Sequence, residues 1–230
     1  MNNYEIETHE YLAHGLTLFQ YGLFAETEEE HVRKFCELTQ PQGVVVDMGA
    51  GVGAMGRMIQ QLRPNVTSVI NVTNSLTQAR IIKDAGGNVC LCDFHHVEEV
   101  PAGAADFVMF NESFGYGNPE ELMLEAARLL RCGGRLVVKD FSVNRRLLEA
   151  VELPGWEYHI YPQHRILHAA AKAGLRCVLV VHPSINTKNW AEFLQKSRMV
   201  AWHGDQDYDG TTAVFVFSKI KSVPQGAPKC

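Results

Sequence analysis

Three carboxylates and a run of glycines are the groups in this sequence best suited to chemistry. Val44 to Met58 reads VVVDMGAGVGAMGRM. Asp47 stands where a β-branched apolar run ends, and Gly49, Gly51 and Gly53 follow at every second position. Glycines so spaced let the backbone approach a ligand with no Cβ in the way, and let the chain turn through positive φ. Asp93 and Glu112 also follow apolar runs, NVCLC and ADFVMFN. A carboxylate at such a place can accept hydrogen bonds or take a proton. Tyr158, His159, Tyr161, Pro162 and His164 form an aromatic and histidine cluster. His159, Tyr161 and His164 suit acid–base roles or pocket walls, although a lone histidine is more often structural or solvated. Cys90, Cys92, His95 and His96 invite a metal reading, but zinc sites usually show two separated ligand pairs and the second is missing. No metal is expected.

The elements that must hold these groups follow from hydrophobic spacing. Val44 to Val46 reads as a buried parallel strand, and Ala54 to Leu62 as a helix with Met55, Met58, Ile59 and Leu62 on its apolar side. Strand, glycine loop and helix open a nucleotide-binding α/β unit. Gly51, Gly53 and Gly56 also spell GxGxxG, the dinucleotide pattern. That reading wants an acid about 20 residues on, and residues 66–74, VTSVINVTN, hold none. A tight turn without a ligand is the third reading. Further strands are expected at 66–72, 88–92, 105–111, 135–141, 175–182 and 211–220. Helices are expected from Thr27, where Glu30 completes a capping box, at 75–85, from Pro119 to Arg131, at 163–173 and at 186–203.

The chain has 230 residues, 46% of them hydrophobic and 20% charged, which suits one full α/β domain and excludes two large ones. No apolar run reaches the ~18 residues of a membrane span, and the acidic start MNNYEIETHEYL lacks a signal pattern. A net charge of −5 argues against a nucleic-acid partner. The six cysteines have no framework spacing and read as reduced thiols, so a cytoplasmic location is expected.

The pattern Asp-x-Gly-x-Gly-x-Gly, at Asp47, Gly49, Gly51 and Gly53, resembles the first motif of class I S-adenosylmethionine (SAM) methyltransferases. The resemblance implies that the glycine loop lies along the methionine part of the cofactor and that the acid helps hold its ammonium end. It extends over roughly residues 10–220. Asn71-Val72-Thr73-Asn74-Ser75-Leu76-Thr77-Gln78 is similar to the G-V-T-L-S-x-x-Q run of cyclopropane-fatty-acid synthases, coclaurine N-methyltransferases and geranyl diphosphate C-methyltransferases, with Asn at positions 71 and 74 as departures. It implies that Thr73 and Gln78 bind the ribose hydroxyls. By the same resemblance Asp93 and Phe94 would take the adenine, by its amino group and its ring face. Asn111-Glu112-Ser113-x-x-Tyr116 resembles the NES-x-x-Tyr of geranyl diphosphate C-methyltransferases. It implies that Asn111 lines the cofactor site and that Glu112 faces the acceptor as general base or electrostatic stabiliser. A capping role for Glu112 at Pro119 is the alternative. No [Asp/Asn/Ser]-Pro-Pro-aromatic motif and no Pro-Cys pair is present there, which removes amino-methylating enzymes of DNA or glutamine and cytosine-C5 enzymes.

LTLFQYGLF, ahead of the core, resembles a segment that closes over the cofactor in small-molecule methyltransferases, and it implies Tyr21 near the active site. The expectation is therefore a Rossmann-like α/β domain over 1–230. Its sheet is seven-stranded and mostly parallel, with helices on both faces. An antiparallel last strand is implied by the resemblance. Residues 1–40 would form a helical lid, 143–173 and 184–210 acceptor-pocket insertions, and 221–230 a flexible tail. The activity implied is SAM-dependent methylation of a small acceptor, releasing S-adenosylhomocysteine, at carbon or nitrogen of a natural product or isoprenoid-like metabolite. Glu112, Tyr21, Tyr116 and His159 are the catalytic candidates. An O-methyltransferase, a silent SAM-binding partner subunit and an NAD-dependent oxidoreductase are the alternatives, and homo-oligomerisation stays open. Arg145, Arg146 and Arg165 are the candidate diphosphate ligands.

Overall fold

The computed structural model describes residues 8–9, 12–13, 17–18, 25–142, 151–153, 158–182 and 211–220. Tyr21, Arg145, Arg146, the helix expected at 186–203, the 184–210 insertion and the 221–230 tail lie outside the described residues.

Seven strands form one sheet: β1 (Gly43–Met48), β2 (Val66–Thr73), β3 (Asn88–Leu91), β4 (Ala105–Asn111), β5 (Leu130–Ser142), β8 (Leu175–Val181) and β9 (Thr211–Lys219). Their order is β3-β2-β1-β4-β5-β9-β8. β1 pairs in parallel with both β2 and β4, and β9 runs antiparallel to both β5 and β8. Strand order therefore reverses between β1 and β4. The crevice beyond the carboxyl ends of strands at such a reversal is where open α/β sheets bind ligands.

The helices described from end to end are α1 (Glu28–Thr39), α2 (Ala54–Leu62), α3 (Leu76–Asp84), α4 (Pro119–Leu129) and α5 (Gln163–Lys172). Strand residues alternate between two cores, as a period of two requires. Val46, Val108, Phe110, Leu136, Val138 and Phe215 pack with Leu122, Met123 and Ala126 of α4 and Ile166 and Ala169 of α5. Val45, Phe107, Met109, Val137 and Val214 pack with Val32 and Phe35 of α1 and Met55 and Ile59 of α2. Each fully buried aliphatic or aromatic side chain contributes about 1.5–3 kcal/mol.

The helix starts follow their caps. Thr27 accepts from the Glu30 amide at 3.1 Å, and Asn118 accepts from the Glu120 amide at 2.9 Å. α1 stops at Gln40, whose φ of 54° is left-handed. α4 ends two residues before the Arg131 expected from its pattern. Leu130 is buried and pairs with Ala105 as the first residue of β5, so sheet pairing ends the helix before Gly133 and Gly134 can. Within the expected 143–173 insertion, β6 (Val151–Leu153) and β7 (Tyr158–Ile160) form a small antiparallel hairpin not anticipated from the sequence. Among the described residues no helix is long and apolar enough to cross a membrane, and no group of three or more His, Cys, Asp or Glu is placed to hold a metal ion.

Candidate active site

The glycine loop leaves β1 at the reversal point and is pinned to β2, because the Gly49 and Ala50 amides both donate to the Val72 carbonyl, at 3.0 and 2.9 Å. Gly49, Gly51 and Gly53 have φ of 80°, 55° and 74°, all left-handed. At Gly49 space is also short: a Cβ would lie 2.5 Å from Ser113 Cβ. The loop thus abuts the turn after β4, and the Ser113 hydroxyl donates to the Met48 carbonyl across the same junction.

Asp47 is 1% exposed, and burial pushes its carboxyl up to about 7. Among the described residues no donor reaches its Oδ2, nor Asn111 Oδ1 at the end of β4. Two buried acceptors without donors, beside a loop that excludes side chains, form a fitting environment for a ligand that brings N–H groups or positive charge.

Along the next strands the other cofactor candidates come together in part. Thr73 and Ser75 are buried; Thr73 Oγ1 lies 2.6 Å from Gln78 Oε1, and Gln78 Nε2 donates to Thr8 Oγ1 at 2.9 Å. These side chains form one polar cluster at the end of β2, with Thr8 joined to it. Phe94 packs edge-on to Phe110 with centroids 6.1 Å apart, and its ring edge would lie 3.5 Å from a Cβ on Gly49. Asp93 is exposed and engaged locally, accepting from the His95 amide at 2.9 Å with the His95 ring 2.5 Å away. Slight burial raises its carboxyl, but the His95 bonds outweigh that and hold it below the usual range.

Glu112 occupies the first position after β4 with φ of 61°. A left-handed backbone at a residue with a long side chain costs on the order of 1–2 kcal/mol, so it must be held. Its amide donates to the Lys139 carbonyl at 2.7 Å, and its Oε1 accepts from Lys139 Nζ. The Lys139 side chain is fully buried and that of Glu112 is 7% exposed. Burial pushes the Glu112 carboxyl up to about 7; Lys139 opposes the rise and Asp140 adds to it. Its Oε2 is buried with no hydrogen-bond partner among the described residues. Capping of α4 falls to Asn118 instead, so Glu112 is left for another task.

Tyr116 closes the short 3-10 turn Phe114–Tyr116 and meets the Tyr158 ring edge-on at 4.6 Å. His159 is not brought to Glu112. Alternation along β7 sends Tyr158 inward, and His159 stacks on Tyr161 at 5.8 Å. Arg165 lies over that Tyr161 ring at 5.4 Å and 3.9 Å from Glu120. Sequence reasoning missed Lys139 and Asp140. Their available signal was a charged pair at the carboxyl end of an otherwise apolar strand, RLVVKDF.

Residues 20–180 match a family described as "Methyltransferase domain". The ubiquinone/menaquinone biosynthesis C-methyltransferase UbiE of Rhizobium etli is 28% identical over 134 residues, which is 54% of this chain and 51% of that protein. The chain thus spans about half the length of that relative. Among solved structures, geranyl diphosphate C-methyltransferase from Streptomyces coelicolor A3(2), in complex with Mg2+, geranyl diphosphate and S-adenosyl-L-homocysteine, aligns with a TM-score of 0.72. Its identity is 20%, over 95% of this chain and 98% of that one. The [4+2]-cyclase SpnF aligns with a TM-score of 0.73 at 17% identity, over 94% and 93%. At these identities the likeness is one of fold, and the fold alone hosts more than one reaction.

Proposed function

Since the chain belongs to the methyltransferase-domain family, we propose that it methylates a small organic acceptor, at carbon, using S-adenosylmethionine. The observation that carries the reading is Glu112. It is a buried carboxylate in a strained backbone, at the strand reversal, one residue before the Ser113 that touches the glycine loop. The likeness to two C-methyltransferases supports carbon as the acceptor atom.

S-adenosylmethionine, when bound, supplies an electrophilic methyl group on a sulfonium centre. Asp47, Asn111 and the loop of Gly49, Gly51 and Gly53 would hold its amino-acid end, where buried acceptors lack donors among the described residues. Thr73 and Gln78 would take the ribose, and Phe94 with Asp93 the adenine. Catalysis is chiefly positioning. With that group bound, transfer of its methyl to the acceptor carbon would release S-adenosylhomocysteine and leave a positive charge on the acceptor, to be discharged by loss of a proton. Glu112 takes that proton on Oε2, the oxygen that Lys139 does not hold. A carboxyl poised near 7 is matched to that transfer at neutral pH. Tyr116 and Tyr158, packed edge-on to each other beside the Glu112 turn, would offer aromatic rings to stabilise the developing charge.

The test is a screen of isoprenoid, quinol and amine acceptors with methyl-deuterated S-adenosylmethionine, read by mass shift of the product. Glu112→Gln should lower turnover by about 10²–10⁴-fold and leave S-adenosylhomocysteine affinity within about twofold. Full turnover in the variant would remove Glu112 from the chemistry.

A further inference from the structure

Near its carboxyl end β5 carries two adjacent charged residues, Lys139 and Asp140, on opposite sides of the sheet, and both grip the turn that carries Glu112. Lys139 holds Glu112 twice, by its carbonyl to the Glu112 amide and by Nζ to Oε1. Asp140, 4% exposed, accepts from the Phe114 amide at 2.9 Å with Oδ2. Its Oδ1 accepts from the Phe141 amide at 2.7 Å and from the Tyr158 hydroxyl of the β6–β7 hairpin. Tyr158 is 4% exposed, and its ring lies so close to the turn that a Cβ on Gly115 would fall 2.4 Å from Tyr158 Cε1. One carboxylate thus ties the hairpin to the turn, while its neighbour in sequence supplies the counterion of the residue on that turn.

We propose that Lys139, Asp140 and Tyr158 are positioning residues for Glu112: Lys139 holds the carboxylate, and Asp140 links the turn beneath it to the docked β6–β7 hairpin through the Tyr158 hydroxyl. The inference rests on the reading of Glu112 as the proton acceptor. Glu112 is left-handed where backbone preference opposes it, so its geometry is set by these outside contacts. The described charged and titratable groups facing Glu112 are Lys139 and Asp140 on β5 and Tyr158 on β7, with Tyr116 on the turn facing Tyr158 in its turn. Two acids and one base share this buried site, so a change in any one is felt by the others. Burial pushes Asp140 up to about 6, and the Tyr158 hydroxyl restrains that rise. Asp140 in turn pushes Glu112 up. Removing the hydroxyl therefore raises Asp140, keeps it neutral to higher pH, and lets Glu112 fall. Removing Lys139 does the reverse to Glu112.

The experiment follows the side-chain carboxyl carbons of 13C-labelled full-length protein by NMR across pH, with Glu112→Gln and Asp140→Asn assigning the signals. Lys139→Met should raise the Glu112 midpoint by about one to three pH units. Tyr158→Phe keeps the ring packing and should move Asp140 up and Glu112 down, a pair of opposite displacements that a purely structural role would not produce. An unchanged Glu112 midpoint in Tyr158→Phe overturns the link, and an unchanged midpoint in Lys139→Met overturns the counterion role. Should Lys139→Met fail to fold, the Tyr158→Phe pair decides. Fixed midpoints together with loss of transfer in Glu112→Gln would overturn the relay and leave the base reading standing. Moving midpoints with full transfer in Glu112→Gln would support the contacts and remove the base reading on which their catalytic role rests.

Discussion

Asp47→Asn should make the empty protein more stable at alkaline pH while costing it its cofactor. Burial alone displaces this carboxyl from its ordinary 3.8 to about 7. The folded protein keeps the proton up to about pH 7, whereas the unfolded chain releases it near 3.8. Stability from this residue is therefore intact below about pH 4, falls as pH rises, and is lost above about pH 7. About three pH units at about 1.4 kcal/mol each amount to ~4 kcal/mol. Asparagine removes the charge but buries an amide whose own unmet donors cost about 1–3 kcal/mol. A net gain of about 1–3 kcal/mol at pH 8 is expected, shrinking to zero or below at pH 4, by difference of those two figures. Ligand stabilisation should move the other way. A ligand at 100 times its Kd adds about 2.7 kcal/mol to the wild type, and most of that should vanish in the variant. Urea denaturation at pH 5 and pH 8, with and without S-adenosylhomocysteine, reads all four corners. A variant no more stable than wild type at pH 8, or one that keeps the ligand's full stabilisation, would refute the reasoning.

Gly49→Ala combines a φ of 80° with a Cβ 2.5 Å from Ser113 Cβ, so it should destabilise by about 1–3 kcal/mol and abolish S-adenosylmethionine binding, read by thermal melting and titration. Asn118→Ala removes the cap of α4, away from the glycine loop, and should cost about 1 kcal/mol in urea denaturation with cofactor affinity unchanged. Breaking the buried ion pair by Lys139→Met should cost about 3–5 kcal/mol at pH 8 in the same assay. That cost should shrink at pH 5, where Glu112 takes up a proton and no longer needs its counterion.

What the sequence made legible was local. The spacing of Asp47, Gly49, Gly51 and Gly53 names a strand, a left-handed loop and a helix, because each glycine answers a backbone demand made within a few residues. Apolar runs ending in Asn111 or Thr73 show where strands stop, and with them which end of the sheet carries the polar groups. The antiparallel direction of β9 came from resemblance, and its place between β5 and β8 was not legible at all, since nothing in TTAVFVFSK states its partners. The site's supporting contacts were hidden for the same reason. Lys139 meets Glu112 across 27 residues, and Tyr158 meets Asp140 across 18. A buried lysine looks like any strand lysine until its carboxylate is placed beside it. That Tyr158, and not its neighbour His159, turns inward to Asp140 is a matter of strand phase, which a three-residue strand is too short to reveal.

Isothermal titration of the protein with S-adenosylmethionine, S-adenosylhomocysteine and NAD tests the central claim most directly. Binding of both adenosyl ligands, one per chain, with no heat from NAD is the result expected of a site built from Asp47, Asn111 and three left-handed glycines. Binding of NAD without S-adenosylmethionine, or of none of the three, would contradict it.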